Sequence, residues 1–309
     1  MKIFTILKLS GITVVSRFFI RIFIRIVKLN SCEKTVCKIR RSCSIALCFF
    51  MSFTGKVFSE PISSTPAIGE TVILSVHTSQ NKIIWPNRAA KSLTTPSGWG
   101  ASWGVIFVGA GITDPAAYST EPDVAISFGM GLGNPVTNLG IQLSPTIWDV
   151  SKFDNFSLSC KVHRYLGKAT SLAIGGENLF ADKKKTDTGE SYYIVISHAF
   201  QNVHSHNPDV SALHASFGIG SGRFDEKSPL DIQSGKGRYG TYVFGSLAYE
   251  IFPSANIVID WNGLNLSAGV ALSPFQKIPV GMTLGVADIT NYSGDRLRFI
   301  ASVGYAYQF

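Results

Sequence analysis

The sequence predicts an all-β fold, a transmembrane antiparallel up-and-down β-barrel of about 12 strands, with roughly 10–14 as the bounds. Three observations predict it. From Trp99 to Phe309 large apolar residues recur at every second position, the period that puts one set of side chains on each face of a strand. The runs are about ten residues long and separated by turn residues, long enough for a tilted strand to cross a bilayer. The less apolar set is mostly Gly, Ser, Ala, Thr and Asn. Such small residues could line a lumen but could not pack the core of a soluble sandwich or lipocalin-like barrel, where the apolar set turns inward.

The chain divides into three parts. Residues 1–59 hold 11 of the 28 Lys and Arg and one of the 20 acids, which leaves the remainder a formal charge of −2 against +8 for the whole. The basic balance therefore belongs to a leader and points to no nucleic-acid partner. Within it, residues 38–59 form a secretory signal: Lys38, Arg40 and Arg41, an apolar core over 44–51, and Val57-Phe58-Ser59 before a cleavage site at Glu60. The apolar run is too short for a spanning helix, which needs about 20 residues. Arg17, Arg21 and Arg25 recur at helical spacing among Phe and Ile; residues 1–37 read either as an extended signal or as a start codon placed too far upstream. Four of the five cysteines lie in this leader, so Cys160 has no partner for an internal disulfide.

Residues 60–98, with Pro61, Pro66, Pro86 and Pro96, read as a periplasmic lead-in, an inner plug or one extra strand. The barrel is expected over 99–309. Its clearest strands are 123–133, 156–165, 264–272 and 278–287; noisier ones occupy 99–109, 137–148, 169–180, 191–201, 211–221, 241–251 and 255–261. An even count returns both ends to one side. The connections then alternate, with the longer ones, such as 181–189 and 222–239, on the side away from Phe309. Trp148 and Trp261 are expected at the outer interface, Trp99 and Phe309 at the inner one.

The last run, Leu297 to Phe309, alternates without a break and ends Tyr305-Ala306-Tyr307-Gln308-Phe309. It resembles the closing strand of bacterial outer-membrane β-barrels, in which the assembly machinery reads the aromatic terminus. The resemblance implies Tyr305, Tyr307 and Phe309 as the assembly signal. It also implies the outer membrane of a Gram-negative-type bacterium, with outer-membrane lipids, lipopolysaccharide and the barrel-assembly machinery as partners.

No catalytic set, cofactor or metal site is assigned. His77-Thr78-Ser79 and His214-Ala215-Ser216 match the His-x-Ser that the outer-membrane phospholipase family carries on its lipid-facing wall. The first precedes the barrel, and parity turns His214 and Ser216 inward. His204-Ser205-His206 with Asp209 falls short of a ligand set, and Gly129-Met130-Gly131-Leu132-Gly133 lacks the following helix that a phosphate loop requires. Lys161, His163, His214, Glu250 and Arg298 are the lumen-facing candidates, of both signs. Lys183-Lys184-Lys185 and the charged run 223–227 sit in outer loops, where basic groups suit lipopolysaccharide phosphates. The expected function is a narrow channel, porin-like or linked to export. The alternative is a non-conducting structural or surface-interaction barrel, decided by whether 60–98 or the long loops plug the lumen. A phospholipase-like barrel hydrolase comes third.

Overall fold

A computed structural model describes residues 84–116, 121–150, 152–181, 189–207, 209–275, 277–290, 292–293 and 296–309. The leader, the lead-in up to residue 83, His77-Thr78-Ser79 and the lysine run 183–185 lie outside the described residues.

Twelve antiparallel strands form a closed barrel: β1 (Val105–Asp114), β2 (Asp123–Gly133), β3 (Gly140–Asp149), β4 (Asp154–Gly167), β5 (Thr170–Leu179), β6 (Ser191–Ala199), β7 (Leu213–Gly220), β8 (Val243–Phe252), β9 (Ala255–Trp261), β10 (Leu266–Leu272), β11 (Val280–Ala287) and β12 (Arg298–Gln308). Each pairs with its sequence neighbour. β12 pairs with β1 from Phe299–Asp114 to Gln308–Val105, so no edge is left open. The pairing of Gln308 with Val105, and a 2.9 Å bond from Phe309 N to the Gly104 carbonyl, set both ends of the barrel on one side, here the lower end.

Strand alternation separates two surfaces. Ile106, Phe128, Met130, Ile174, Ile194, Phe217, Ile219, Leu247, Ile257 and Ile259 are exposed around the outside. The intervening positions, among them Ser127, Gln142, Ser144, Thr146, Ser197, Ser216, Asn256, Asp260 and Ser267, are buried inside. An apolar belt outside and polar groups within invert a water-soluble protein and suit a barrel surrounded by lipid.

The upper end carries the longest connection, 221–242. It folds inward through a 3₁₀ turn (Gly222–Phe224) and a short helix α1 (Pro229–Gln233). Ser228 caps α1 by accepting from Asp231 N, and Pro229 supplies the fixed φ of a first helical position. At the lower end, the two-residue turn between β4 and β5 places Lys168 and Ala169 in the left-handed region (φ 48° and 54°), as the twist of a tight hairpin demands.

The barrel begins at Val105 and not at Trp99. In residues 99–104 the apolar Trp99, Ala101 and Trp103 alternate with Gly100, Ser102 and Gly104 as in a strand, but Gly104 adopts φ +87° and the chain turns there. Residues 85–102 lie inside the lumen, and Trp103 is exposed at the lower end, where its N–H donates to the Gly133 carbonyl. β1 accordingly extends to Asp114, through the start of the connection expected from residue 110.

Candidate functional site

Residues 84–104 run from the lower end to the upper and back. Near Trp85 the chain is tied to the lower connection 200–212. Trp85–Pro86 pairs in parallel with Val210–Ser211, and the Gln201 amide exchanges hydrogen bonds with the Ile84 backbone. Between Pro86 and Pro96 the chain forms neither strand nor helix. It is a loop that carries the buried Lys91 and the half-buried Arg88 among Ala, Ser and Thr, and several of its backbone groups are bonded to side chains of the barrel wall.

Asn87 and Asn256 of β9 exchange amide hydrogen bonds at 2.6 and 3.0 Å, and Asn256 also donates to the Ala90 carbonyl. Ala89 and Ala90 are small enough to pack flat on Ala248, Val258 and Ala271. At the upper end, Ser92-Leu93-Thr94-Thr95 forms a turn in which Thr95 N donates to Ser92 Oγ, a hydroxyl mimic of backbone closure. The turn wraps the carboxylate of Asp260, also on β9. Asp260 Oδ2 accepts from Leu93 N at 2.8 Å, Thr94 N at 2.6 Å, Thr95 N at 3.2 Å and Ser92 Oγ at 3.0 Å. Backbone donors converging on one oxygen offset the cost of burying the charge.

The chain then descends. Gly98 N donates to Ser197 Oγ on β6, Ala101 N to Gln142 Oε1 on β3, and Lys161 Nζ on β4 to the Trp99 carbonyl at 2.9 Å. Gly98 and Gly100 are needed for the approach: a methyl group at Gly98 would collide with the Ser171 and Ser197 backbone, and one at Gly100 with the His163 ring. Trp99 packs against Trp85, Ala169 and Ala199, with Tyr165 alongside.

Above the loop, Arg223 of the upper connection donates through Nη1 to the Thr94 carbonyl at 2.8 Å and through Nε to Glu177 of β5 at 2.6 Å. Its guanidinium lies 4.5 Å over the Phe224 ring. Phe224 stacks on Phe244 at 4.4 Å, and Tyr193 meets both edge-on at 6.2 Å. This aromatic group fills the upper lumen on the β5–β9 side.

The structure separates the residues singled out in the sequence. Lys161, His163, His214 and Glu250 are buried inside the barrel. His214 Nε2 accepts from Asn87 N, and Glu250 Oε1 accepts from Ser254 N in the lower turn. Arg298 sits at the upper rim, its Nε paired with Asp288 at 2.5 Å. Ser216 shares a hydrogen bond with Ser197 across the wall, so His214 and Ser216 face the buried loop. Tyr307 and Phe309 are exposed on the outer face at the lower end, and Trp261 lies at the upper rim beside Tyr292.

Two aromatic assignments are corrected. Trp99 is 2 % exposed and belongs to the lumen loop, because the strand it was expected to start begins at Val105. Trp148 shares the inward parity of Gln142, Ser144 and Thr146 and donates to Ser157 Oγ, so it lines the lumen at the upper end. His204 and His206 lie in the lower connection, and among the described residues no group of three His, Cys, Asp or Glu side chains could hold a metal ion. Gly129 to Gly133 lies within β2.

Asp260, Asn256, Gln142 and Glu177 were not recognised from the sequence, and Arg223 was read only as loop charge. The available signal was their parity: each of the wall residues is a polar side chain at an inward position of an alternating strand.

Comparison with protein-family models gives no match, and comparison with curated proteins gives none either. Among solved structures, an active-site mutant of outer membrane phospholipase A from Escherichia coli is similar. It has 12 % identity and a TM-score of 0.38, covering 67 % of this chain and 91 % of that chain.

Proposed function

We propose that the chain is an outer-membrane β-barrel of a Gram-negative-type bacterium that is closed to ions at rest and acts as a non-conducting surface barrel. One observation carries this reading: residues 85–102 thread the lumen from end to end, bonded to β3, β4, β6 and β9. The apolar outer belt supports a bilayer setting, and the lower end, where β12 finishes, becomes the periplasmic one. Lipids and lipopolysaccharide meet the outside and the upper loops. On the outer face, near the lower end, the Thr170 hydroxyl meets His198 Nδ1 at 2.8 Å; among the described residues no carboxylate is bonded to that imidazole to orient it, which favours a binding or structural role over hydrolysis.

A gated narrow channel is the second reading, favoured by how the plug is held. Its anchors are hydrogen bonds to Asp260, Asn256, Gln142 and Lys161, groups that water could take over if the loop withdrew.

Planar-bilayer recording on the folded chain, beside the Asp260→Ala variant, tests the proposal. The unaltered chain is expected to be silent and the variant to show intermittent steps. Stable steps from the unaltered chain would replace the closed reading with an open pore.

A further inference from the structure

The outer wall is apolar with one local exception. Among the described residues, Arg164 and His198 are the Lys, Arg or His side chains that stand at outward positions within a strand; Lys161, His163 and His214 face the lumen, and Arg298 sits at the upper rim. The two come together near the lower end. His198 of β6 is paired with Thr170 of β5, and Arg164 of β4 is paired with Leu172, the next outward residue of β5 above Thr170. Arg164 is therefore the diagonal neighbour of Thr170, within reach of a long side chain. Lys168, in the turn below, is exposed. The His198 ring is held in place, with Nδ1 2.8 Å from the Thr170 hydroxyl and Phe200 meeting it edge-on at 5.0 Å. When the hydroxyl donates to Nδ1, the Nε2–H is left to donate outward. The other described lower turns, 134–139, 252–254 and 273–275, carry no charged side chain, and Asp209, the acid of the lower connection 200–212, is already engaged.

We infer that Arg164, Lys168 and His198, with Thr170 orienting the imidazole, bind the phosphate of a membrane glycerophospholipid on the outer face of β4–β6. An outward arginine is costly at the bilayer midplane and tolerated near the interface, where its head reaches the headgroup layer. A guanidinium holds two phosphate oxygens at once through parallel N–H groups, and the imidazole N–H and the lysine ammonium serve as single donors to the others. Neighbouring strands lie about 4.8 Å apart, so Arg164 and His198, on either side of β5, flank a gap of about 10 Å that one phosphate fits between their donor heads. Above the donors Leu172, Ile174 and Ile196 continue the apolar belt, a surface for acyl chains that a free phosphate has no use for; this commits the site to a lipid. Cations gathered with no free carboxylate beside them favour an anionic headgroup, as in phosphatidylglycerol, over a zwitterionic one. The inference rests on the membrane-barrel reading, since only a bilayer brings lipid to this wall.

The test uses the full chain refolded in detergent. Native mass spectrometry measures retention of phosphatidylglycerol, of diacylglycerol with the same acyl chains and of inorganic phosphate, and flotation follows reconstitution of the same preparation into phosphatidylcholine vesicles. The chain is expected to float and to retain phosphatidylglycerol at least about ten-fold over diacylglycerol, the scale of charge-assisted hydrogen bonds to one phosphate. The double variant Arg164→Leu with His198→Leu is expected to lose that preference. Lys152→Gln, which removes an exposed cation from the upper end, is expected to keep it. Heat-modifiable gel migration should be unchanged in both. Equal retention of diacylglycerol by a chain that floats overturns the site. A preference that the double variant keeps, or that Lys152→Gln loses as fully, overturns it too. Retention of inorganic phosphate at equal strength overturns the lipid assignment in favour of a free anion. A chain that does not float overturns the membrane-barrel reading, and the site with it.

Discussion

The Nζ of Lys161, on the wall of the barrel, donates a 2.9 Å hydrogen bond to the carbonyl oxygen of Trp99, on the segment inside it. Neither group could be buried alone without a penalty: the ammonium would be a desolvated charge and the carbonyl an orphaned acceptor. The pairing is one of a series in which wall side chains, and not backbone ladders, satisfy a loop with no secondary structure of its own. A barrel of this width encloses more space than its own inward side chains fill, and the loop with its polar contacts takes up the difference.

Lys161→Met keeps the stem and removes the donor. With this donor to the Trp99 carbonyl gone from the lumen, the variant should lose about 1–3 kcal/mol of stability in urea. Its tryptophan emission should shift to the red as the loop around Trp99 loosens. An unchanged midpoint and unchanged emission would show that this contact holds nothing in place.

Asp260→Ala removes the acceptor around which the Ser92–Thr95 turn is built. The Leu93 and Thr94 N–H groups lose their partner at once, while Thr95 N keeps Ser92 Oγ, so hydrogen exchange at Leu93 and Thr94 should accelerate by at least about a hundred-fold, the equivalent of about 3 kcal/mol of local protection. Amides in the middle of β9 should be far less affected. Uniform acceleration across the barrel would mean instead that Asp260 serves the wall and not the plug.

The strands were legible in the sequence because period two is local. The run 123–133 matches β2, the run 255–261 matches β9, and the alternation that turned Ser127 inward also turns Asp260 inward. Trp148 obeys the same rule, and reading it as an interface anchor gave residue type precedence over parity. The contents of the lumen were not legible. Thr94 and Asp260 lie far apart in the chain, and nothing in Ser92-Leu93-Thr94-Thr95 names a carboxylate as its partner. Trp99 and Gly100 alternate in size as a strand would; that Gly100 is small so that the loop can pass His163 emerges only from the packing.

Acidity should act on the upper connection through Asp225. Burial, and then the neighbouring charge of Glu226, raise its carboxyl above the ordinary Asp value of 3.8, and its Oδ1 finds no hydrogen-bond partner among the described residues. A raised folded-state pKa means that the folded chain binds the proton more tightly than the unfolded one. The loop is therefore relatively stabilised as pH falls through that raised value, and it loses this contribution as pH rises through the same window. Limited proteolysis of residues 221–242 should be slower in mildly acidic buffer than at neutral pH. Asp225→Asn should flatten the difference and protect the loop at neutral pH; a variant whose pH profile overlays the parent would locate the sensitivity elsewhere.

Packing within the wall gives a separate test. Gly129 of β2 faces the Phe107 ring of β1, and a methyl group there would overlap the ring. Gly129→Ala should cost about 1–3 kcal/mol as overpacking, and Phe107→Leu should recover part of that loss in the double variant. Additive losses would show that the two sites do not meet.

Arg223 is where the upper loop, the wall and the plug meet, and its guanidinium is suited to all three. One edge is held by the Glu177 carboxylate at 2.6 Å, another nitrogen reaches the Thr94 carbonyl at 2.8 Å, and the plane lies over Phe224. A lysine ammonium has the charge but not the fork, so it cannot hold acceptors on two sides and cover the ring at once. Arg223→Lys should therefore resemble Arg223→Met in loosening the Thr94 turn, whereas Glu177→Gln, which keeps an acceptor, should do less. In a double-mutant cycle between Arg223→Met and Glu177→Ala, the coupling should be about 1–2 kcal/mol, more than an exposed pair gives because both side chains are largely covered. The same cycle read by bilayer recording separates latch from scaffold. If Arg223 holds the plug down, brief conducting events should rise in Arg223→Met and in Arg223→Lys alike. If it only braces the loop against β5, stability will fall in step with the coupling energy while the bilayer stays silent.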